Sequence, residues 1–230
     1  EGEGRPPCLH CPYGIDYFAK AKRALGELFN HTRFTRARIE ELGRKYEACP
    51  FELSLDLSLY CDLIVGDYNY AFDYGAKLQR FFTRGKTDFV FLLDEAHNLV
   101  DRARAMFSAA LSKSRVLEAR RSASPAERKV LSAFNAVLLE VKKTYPLNYE
   151  AAQERPSEGV AAAAAKALEG LDDLIDRGSL SETLLDFYWE LRRLATVPDH
   201  YDGTYRTVVT NRGADFRLDF LCIDPSPQLA

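Results

Sequence analysis

The feature that most constrains the fold of this chain is the segment 88–94 (DFVFLLD), whose five apolar residues are followed by Asp94 and then Glu95. A short, continuous apolar run of this kind predicts a strand buried on both faces of a parallel sheet. The segment 62–67 (DLIVGD) predicts a second such strand, with a crossover connection between the two. Because ligands of open α/β sheets bind beyond the carboxyl ends of the strands, the two acids are predicted to face a ligand site.

Two adjacent carboxylates after a buried strand suit nucleotide hydrolysis. Asp94 is placed to hold Mg²⁺ through water, and Glu95 to orient the attacking water. His97 follows two residues later and is placed to link the phosphate site to a neighbouring motif. The alternative is structural, because acidic residues at a helix N-terminus are favoured by the helix dipole. Residues 85–87 (GKT) do not complete a phosphate-binding loop, since Arg80 stands where the pattern requires glycine.

The cysteines suggest a metal site. Cys8 and Cys11 have CxxC spacing, and Cys11 and Cys49 are each followed by proline. Thiolates at this spacing bind zinc or an iron–sulphur cluster when more distant cysteines complete the ligand set. Two unligated thiols are the alternative. Cys61 begins a predicted buried strand and is interpreted as a core residue.

Most of the remaining sequence predicts helices. Residues 14–29 predict an amphipathic helix, and Thr35 is a plausible N-cap for a second helix that ends near Glu47. The apolar face predicted for the first helix consists of Ile15, Phe18, Ala21, Leu25 and Leu28. Residues 51–60 fit a strand or a helix, and we favour the helix. Periodicity is almost wholly helical from Leu99 to about Leu194, and residues 204–210 and 216–223 predict a strand pair across a turn at 211–213.

Basic residues around an aromatic ring give a candidate nucleic-acid surface in a chain whose net charge of −3 provides no overall positive field. The residues are Lys20, Lys22, Arg33, Phe34, Arg36 and Arg38. Phosphates would contact the cations, and Phe34 would stack on an unpaired base. The alternative is a solvated helix face with Phe34 in the core. Later in the chain Phe187, Tyr188 and Trp189 are interpreted as core residues, with Arg192 and Arg193 as candidates for strand contact.

Three segments resemble the iron–sulphur DNA helicases of superfamily two, the XPD/DinG group, and in particular their bacterial members. They are residues 11–25 (CPYGIDYFAKAKRAL), 49–73 (CPFELSLDLSLYCDLIVGDYNYAFD) and 89–104 (FVFLLDEAHNLVDRAR). The resemblance implies an α/β fold, in which a partial RecA-like motor domain carries a small helical iron–sulphur insertion and a mostly α-helical Arch insertion.

The resemblance also implies domain boundaries and site residues. Residues 1–60 would form the cluster domain, 61–107 part of motor domain 1, 108–205 the Arch, and 206–230 the return to motor domain 1. Cys8, Cys11 and Cys49 would ligate a 4Fe–4S cluster, with a fourth ligand before residue 1 or at Cys61. Asp94 and Glu95 would act on ATP and Mg²⁺, and His97 would couple the nucleotide state to DNA.

The function implied is that of an ATP-dependent 5′–3′ DNA helicase acting on single-stranded or forked DNA in repair. We expect a cytoplasmic, nucleoid-associated protein, since no segment predicts a signal peptide or a membrane span. Without a phosphate-binding loop or a second motor domain, this chain is expected to be inactive alone and to need the rest of the helicase. The alternatives are a non-enzymatic DNA- or protein-binding module with a structural zinc or iron–sulphur site, and a zinc or thiol-redox protein using Cys8 and Cys11.

Overall fold

The computed structural model describes residues 11–73, 77–82, 89–157, 159–177 and 180–229. These residues fall into two compact units. Unit 1 takes in those within Glu1–Gly66 and Arg80–Gly85, and unit 2 those within Asp67–Gln79 and Lys86–Ala230.

Unit 1 is built from α1 (Tyr17–Leu28), α2 (Arg36–Tyr46) and α3 (Pro50–Ser58), which confirms the three predicted helices. The Thr35 side chain accepts a hydrogen bond from the Arg38 amide and caps α2, as predicted. Pro50 is the first residue of α3. The backbone N–H of a first residue has no partner within the helix, so proline removes no helical hydrogen bond there. The helices pack around a small core of buried residues, which are Tyr17, Ala21, Ala24, Leu28, Leu42, Ala48, Leu53 and Leu57.

The buried face of α1 differs from the predicted one. Tyr17 points into the core, whereas Phe18 is 86% exposed and Ile15 is also exposed. Successive residues of a helix point about 100° apart, and in α1 only the first of the two adjacent aromatic rings faces the core. Tyr17 takes that place because its hydroxyl donates a 2.7 Å hydrogen bond to Asp56 on α3.

The prediction of two buried parallel strands is wrong for the described residues. Residues 62–67 and 89–94 form no strand, and α4 (Asn69–Phe72) and α5 (Gln79–Phe82) are single turns. Val65, Val90 and Leu92 are 92%, 87% and 89% exposed. A strand is stabilised by backbone hydrogen bonds to its neighbours, and the described part of the chain provides no strand beside either segment.

Unit 2 contains an antiparallel sheet instead. In the described residues it has four strands in the order β1-β4-β3-β2, all antiparallel: β1 (Ala109–Ser112), β2 (Tyr149–Gln153), β3 (Tyr205–Arg212) and β4 (Asp215–Cys222). The predicted strand pair is confirmed, but Arg212 pairs with Asp215, so the turn is Gly213 and Ala214. Gly213 has a φ of 73°, a conformation that glycine adopts without strain.

Residues 99–194 are mostly helical, as predicted, but they also contain the strands β1 and β2, which were not predicted. The helices from residue 99 onward are α6 (Leu99–Phe107), α7 (Lys113–Ser122), α8 (Pro125–Lys143), α9 (Val160–Asp176), α10 (Leu185–Thr196) and α11 (Ser226–Leu229). Their apolar faces share one core with the inner residues of the β3–β4 hairpin, which spans the predicted domain boundary at residue 205. The fold is therefore mixed α/β and mostly helical. Of the described helices, none combines the length and apolar character needed to cross a membrane.

Candidate functional site

The predicted acid pair lies on a tight turn in unit 2. A carboxylate oxygen of Asp94 accepts a 2.9 Å hydrogen bond from the backbone amide of Glu95. Glu95 has a φ of 51° and precedes the 3₁₀ helix Ala96–Asn98. A non-glycine residue in this left-handed region is uncommon and is typical of a locally constrained backbone. The turn holds both carboxylates toward solvent, where a cation can reach them.

His97 lies beside the second of these acids. Its Nδ1 is 3.3 Å from a carboxylate oxygen of Glu95, and both side chains are well exposed. Neither Asp94 nor Glu95 lines either of two clefts of unit 2, one bordered by β1, β4 and α10 and the other by residues that include Met106 and Val197. The structure therefore brings the three residues together on the surface, without the sheet edge that the sequence predicts for them.

Two of the three predicted cluster ligands lie in adjacent backbone segments of unit 1, and Cys8 lies outside the described residues. The carbonyl of Cys11 accepts hydrogen bonds from the amides of Gly14 and Ile15 in the turn before α1. The Cys49 amide donates to the carbonyl of Tyr13 at 3.0 Å. Cys11 and Cys49 are free and partly exposed.

The described residues hold no group of three or more potential ligands (His, Cys, Asp or Glu) close enough to bind a metal ion. Two free cysteines on neighbouring segments fit part of a thiolate ligand set. Cys61, like Cys49, is partly buried and packs against the core of unit 1. Burial, together with the charge of Asp62, raises the pKa of the Cys61 thiol and disfavours the thiolate.

A partly buried polar network that the sequence did not predict lies in unit 1. The Asp56 carboxylate accepts hydrogen bonds from the Tyr17 hydroxyl at 2.7 Å and from the Arg80 guanidinium at 2.8 Å. Arg80 also pairs with Glu52 at 3.0 Å. Burial and the Asp56 carboxylate raise the pKa of Tyr17 far above its ordinary value. Tyr17, Asp56 and Arg80 are distant from one another in sequence, so no local sequence pattern predicts the network.

The residues of unit 1 that are predicted to bind nucleic acid differ in whether their charges are paired with acidic side chains. Arg36 pairs with Glu40 at 2.7 Å, while Arg38 contacts Glu41 at 2.9 Å and Glu27 at 3.3 Å. These acids neutralise part of the predicted positive surface.

The other candidates have no acidic partner within the described residues. Lys20 donates to the carbonyl of Pro12 at 2.9 Å, and Lys22 and Arg33 are exposed. Phe34 is half-buried and packs against the core of unit 1. Phe18, one helical turn before Lys22, has the more accessible ring. The adjacent aromatic pair Tyr17-Phe18 is the signal that could have identified it.

In unit 2 the aromatic residues of α10 are divided between core and surface. Phe187 and Tyr188 are buried, as predicted, and the Tyr188 hydroxyl donates to Asp172 at 2.7 Å. Burial and that hydrogen bond raise the pKa of Tyr188. Trp189 was predicted in the core, but it is 53% exposed and lines a cleft together with residues of β1 and β4.

Comparison with known proteins gives a family match over part of the chain. A search of curated proteins gives no match. A protein-family model does match, and it covers Cys8, Cys11, Cys49 and the Asp94–Glu95 turn. Residues 5–116 match the DEAD_2 family, the helicase domain family of XPD and DinG.

Proposed function

We propose that this chain is a portion of an ATP-dependent 5′–3′ DNA helicase of the iron–sulphur type. The observation that carries the proposal is the match to the DEAD_2 family over the segment that contains both the cysteines and the acid pair. The intact protein would act on single-stranded or forked DNA in repair, in the cytoplasm and associated with the nucleoid. Residues 108–205 would correspond to the Arch, and residues 61–107 and 206–230 to motor domain 1.

Asp94 and Glu95 would serve ATP hydrolysis in the intact helicase. Asp94 would hold Mg²⁺ through water, and Glu95 would orient the water that attacks the γ-phosphate. His97, in contact with Glu95, would couple this site to DNA. The phosphate-binding loop would come from the rest of the helicase, because no segment of this sequence matches its pattern. This chain alone is therefore expected to be inactive.

The exposed apolar segment before the acid pair supports this arrangement. Val90 and Leu92 are almost fully accessible. Burying one such side chain contributes about 1.5–3 kcal/mol, so strands of the remaining motor domain would gain stability by pairing with it. The acid pair would then lie at the end of a buried strand.

Cys8, Cys11 and Cys49 would hold a 4Fe–4S cluster in unit 1. The backbone hydrogen bond from Cys49 to Tyr13 supports this, because it keeps the two segments side by side. When bound, the cluster would cross-link these segments rather than perform redox chemistry. A metal centre suits a unit with a small apolar core, because metal binding adds directly to folding stability.

Unit 1 would contact DNA through its unpaired cations. Lys22 and Arg33 are exposed, and Phe18 offers an accessible ring one turn from Lys22. Phosphates attract such cations, and an unpaired base stacks on an exposed aromatic ring. The paired residues Arg36 and Arg38 would contribute less, and Lys20 and Phe34 remain candidates.

A second candidate is a non-enzymatic DNA- or protein-binding module with a structural zinc or iron–sulphur site. The observation that favours it is the position of Asp94 and Glu95, which face solvent on a turn and line neither cleft of unit 2. In this case the acid pair would only begin the helical segment that follows it.

ATP turnover by the longer protein that contains this chain, with and without single-stranded DNA, distinguishes the two candidates. Glu95→Gln preserves the side-chain size and removes its charge, so it is expected to lower DNA-stimulated turnover by more than about a hundredfold. Glu169→Gln, on the exposed face of α9, is the matched control and should retain full turnover. Full turnover in Glu95→Gln would favour the binding module.

A further inference from the structure

The turn that carries the acid pair is joined directly to a helix that the rest of unit 2 holds in place. This helix, α6, begins directly after the 3₁₀ helix that follows the two acids. Its side chains Ala103 and Phe107 are buried in the core of unit 2. The Arg104 guanidinium donates a 2.9 Å hydrogen bond to the carbonyl oxygen of Ile223, just after β4. The packing of α6 therefore determines where the chain leaves the acid turn.

A second segment of unit 2 contacts the chain on both sides of the acid pair. It consists of residues 67–72, which include the single turn α4. Before the acids, the rings of Phe72 and Phe91 lie 5.6 Å apart between their centroids. After the acids, the Arg102 guanidinium lies 5.7 Å from the centroid of the Tyr68 ring, a cation–π contact. Residues 67–72 thus contact the chain where it enters the turn and where it leaves it.

The contact between Arg102 and Tyr68 does not compete with other contacts of either side chain. Arg102 is exposed and has no acidic partner within the described residues, whereas Arg104 on the same helix pairs with Asp101 at 3.2 Å. The Tyr68 hydroxyl is buried and forms no hydrogen bond to the described part of the chain. Within that part of the chain, Tyr68 therefore meets Arg102 through its ring and not through its hydroxyl.

The turn between these contacts depends on its surroundings for its shape. Glu95 has a φ of 51°, and a non-glycine residue stays in this left-handed region only where the surrounding structure holds it there. Carboxylates that act in catalysis must be held to within about 0.5 Å of the productive geometry. A contact at the end of the turn can therefore change the rate of a reaction without touching the substrate.

We propose that Tyr68 and Arg102 are positioning residues for the acid pair. Their cation–π contact holds the first turn of α6 against residues 67–72 and thereby fixes the direction of the Glu95 carboxylate. Both residues act through the turn and not on the substrate. The inference rests on the proposed function for the reaction itself, and it adds to that function two residues that orient the acid assigned to the attacking water.

A double-mutant cycle in the longer protein that contains this chain tests the contact. ATP turnover with single-stranded DNA is measured for Tyr68→Leu, Arg102→Gln and the double variant. Each single variant should lower kcat about twofold to fivefold and leave the KM for ATP unchanged, because the contact affects the transition state and not the binding of ATP. The double variant should be no slower than the slower single variant, since both changes remove the same contact.

Conservative variants separate this contact from general damage to the fold. Tyr68→Phe keeps the ring and Arg102→Lys keeps a cation, so both should retain most of kcat. Arg121→Gln removes an exposed arginine of α7 and is the matched control, which should have no effect. Because Arg102 is exposed, Arg102→Gln should leave the thermal midpoint of the 230-residue chain almost unchanged.

A second measurement does not depend on turnover. Amide hydrogen exchange of the 230-residue chain reports on the turn directly, because the Asn98 amide donates a 2.9 Å hydrogen bond to the carbonyl of Glu95. Exchange in residues 92–99 should be faster in Tyr68→Leu and Arg102→Gln than in the parent chain. It should be unchanged in Arg121→Gln, and exchange in β3 and β4 should be the same in every variant.

The outcomes separate the positioning role from the proposed function. Absence of turnover in the parent protein, or full turnover in Glu95→Gln, would overturn the proposed function and this inference with it. Turnover that Glu95→Gln abolishes, with kcat and exchange unchanged in Arg102→Gln, would overturn the positioning role alone. Additive losses in the double variant would overturn it as well. Weaker binding of single-stranded DNA at an unchanged kcat would show that Arg102 acts on the strand instead.

Discussion

The backbone amide of Cys49 donates a hydrogen bond to the carbonyl oxygen of Tyr13 at 3.0 Å, which joins the start of α3 to the turn that precedes α1. Cys11 lies in that turn, and its own carbonyl accepts two backbone amides. Two cysteines that are 38 positions apart in sequence thus lie on neighbouring segments before any metal is considered. A ligand shared by the two thiols would reinforce a contact that the backbone already makes.

Replacing one of these thiols tests the cluster. Cys49→Ser is expected to lower the iron and sulphide content of the purified chain and to lower its melting temperature, because a serine hydroxyl is a poor ligand for iron. Elemental analysis and visible absorbance measure the first effect, and thermal unfolding measures the second. Cys222→Ala, a buried cysteine of unit 2, is the control and should keep the iron. Stoichiometric zinc in a colourless protein would contradict the iron–sulphur assignment.

The network around Asp56 should contribute measurably to the stability of unit 1. Tyr17→Phe removes the 2.7 Å hydrogen bond and is expected to lower the free energy of unfolding by about 1 kcal/mol. Arg80→Ala removes the arginine partner of both Glu52 and Asp56 and, because these side chains are partly exposed, should cost about 1 kcal/mol. Denaturant titration measures both. Arg36→Ala breaks an exposed pair and should change the free energy by less than about 0.5 kcal/mol, and an equal loss there would contradict the special role of the network.

Gly43 and Gly26 offer a matched pair of substitutions in unit 1. A Cβ atom at Gly43 would lie 2.7 Å from the Pro50 ring and 2.9 Å from the carbonyl oxygen of Ala48, closer than atoms can approach. Gly43→Ala is therefore expected to destabilise the chain by about 1–3 kcal/mol. At Gly26 nothing lies within 4 Å, so Gly26→Ala should stabilise by about 0.5–1 kcal/mol through helix propensity. Opposite signs in denaturant titration confirm the packing, and equal effects would contradict it.

Glu127 should make the stability of unit 2 sensitive to acid. Burial alone would raise its pKa, but hydrogen bonds from the amides of Ser181 and Ser124 outweigh burial and lower the pKa below 4.5. A carboxyl with a depressed pKa stabilises the fold above its unfolded pKa, and this stability is lost as the pH falls through the folded value. We expect the free energy of unfolding to decline below about pH 4.5.

Glu127→Gln provides the corresponding variant. It should lower the free energy of unfolding at neutral pH by about 1–3 kcal/mol, because a buried amide replaces a charged acceptor of two backbone amides. It should also flatten the decline on the acid side. Glu169→Gln is the exposed control and should leave both values unchanged. An acid decline that is identical in Glu127→Gln would show that another carboxylate is responsible.

The sequence predicts what depends on neighbouring residues. The cap at Thr35 and the periodicity of α1, α2 and α3 are local, and so is the alternation of β3 and β4. The predicted strand at 88–94 depends on partners far along the chain, and an apolar run carries no information on whether those partners are present. The short strands β1 (AALS) and β2 (YEAAQ) were missed for a related reason, because they form by pairing with the hairpin and have little strand propensity of their own.

The candidate sites follow the same division. The cysteines and the acid pair were found because their residue types and spacing are local signals. The exposure of Phe18 and Trp189 was not predicted, because it depends on which face of each helix the rest of the unit covers. The neutralisation of Arg38 by Glu27 arises from packing between two helices, which no pattern within either helix encodes.

The pairing of Ala109 with Phe220 has a consequence for how unit 2 is attached to its surroundings. The first and last strands of the 109–222 segment run side by side, so its two ends leave the sheet at one place, only the width of a strand pair apart. A segment with adjoining ends can be accommodated in a surface loop of a host fold without separating the host's flanking elements. Evolution could therefore lengthen or replace it while the host remained folded. A peptide excised to fold on its own should also include α6, because Ala103 and Phe107 belong to the same core.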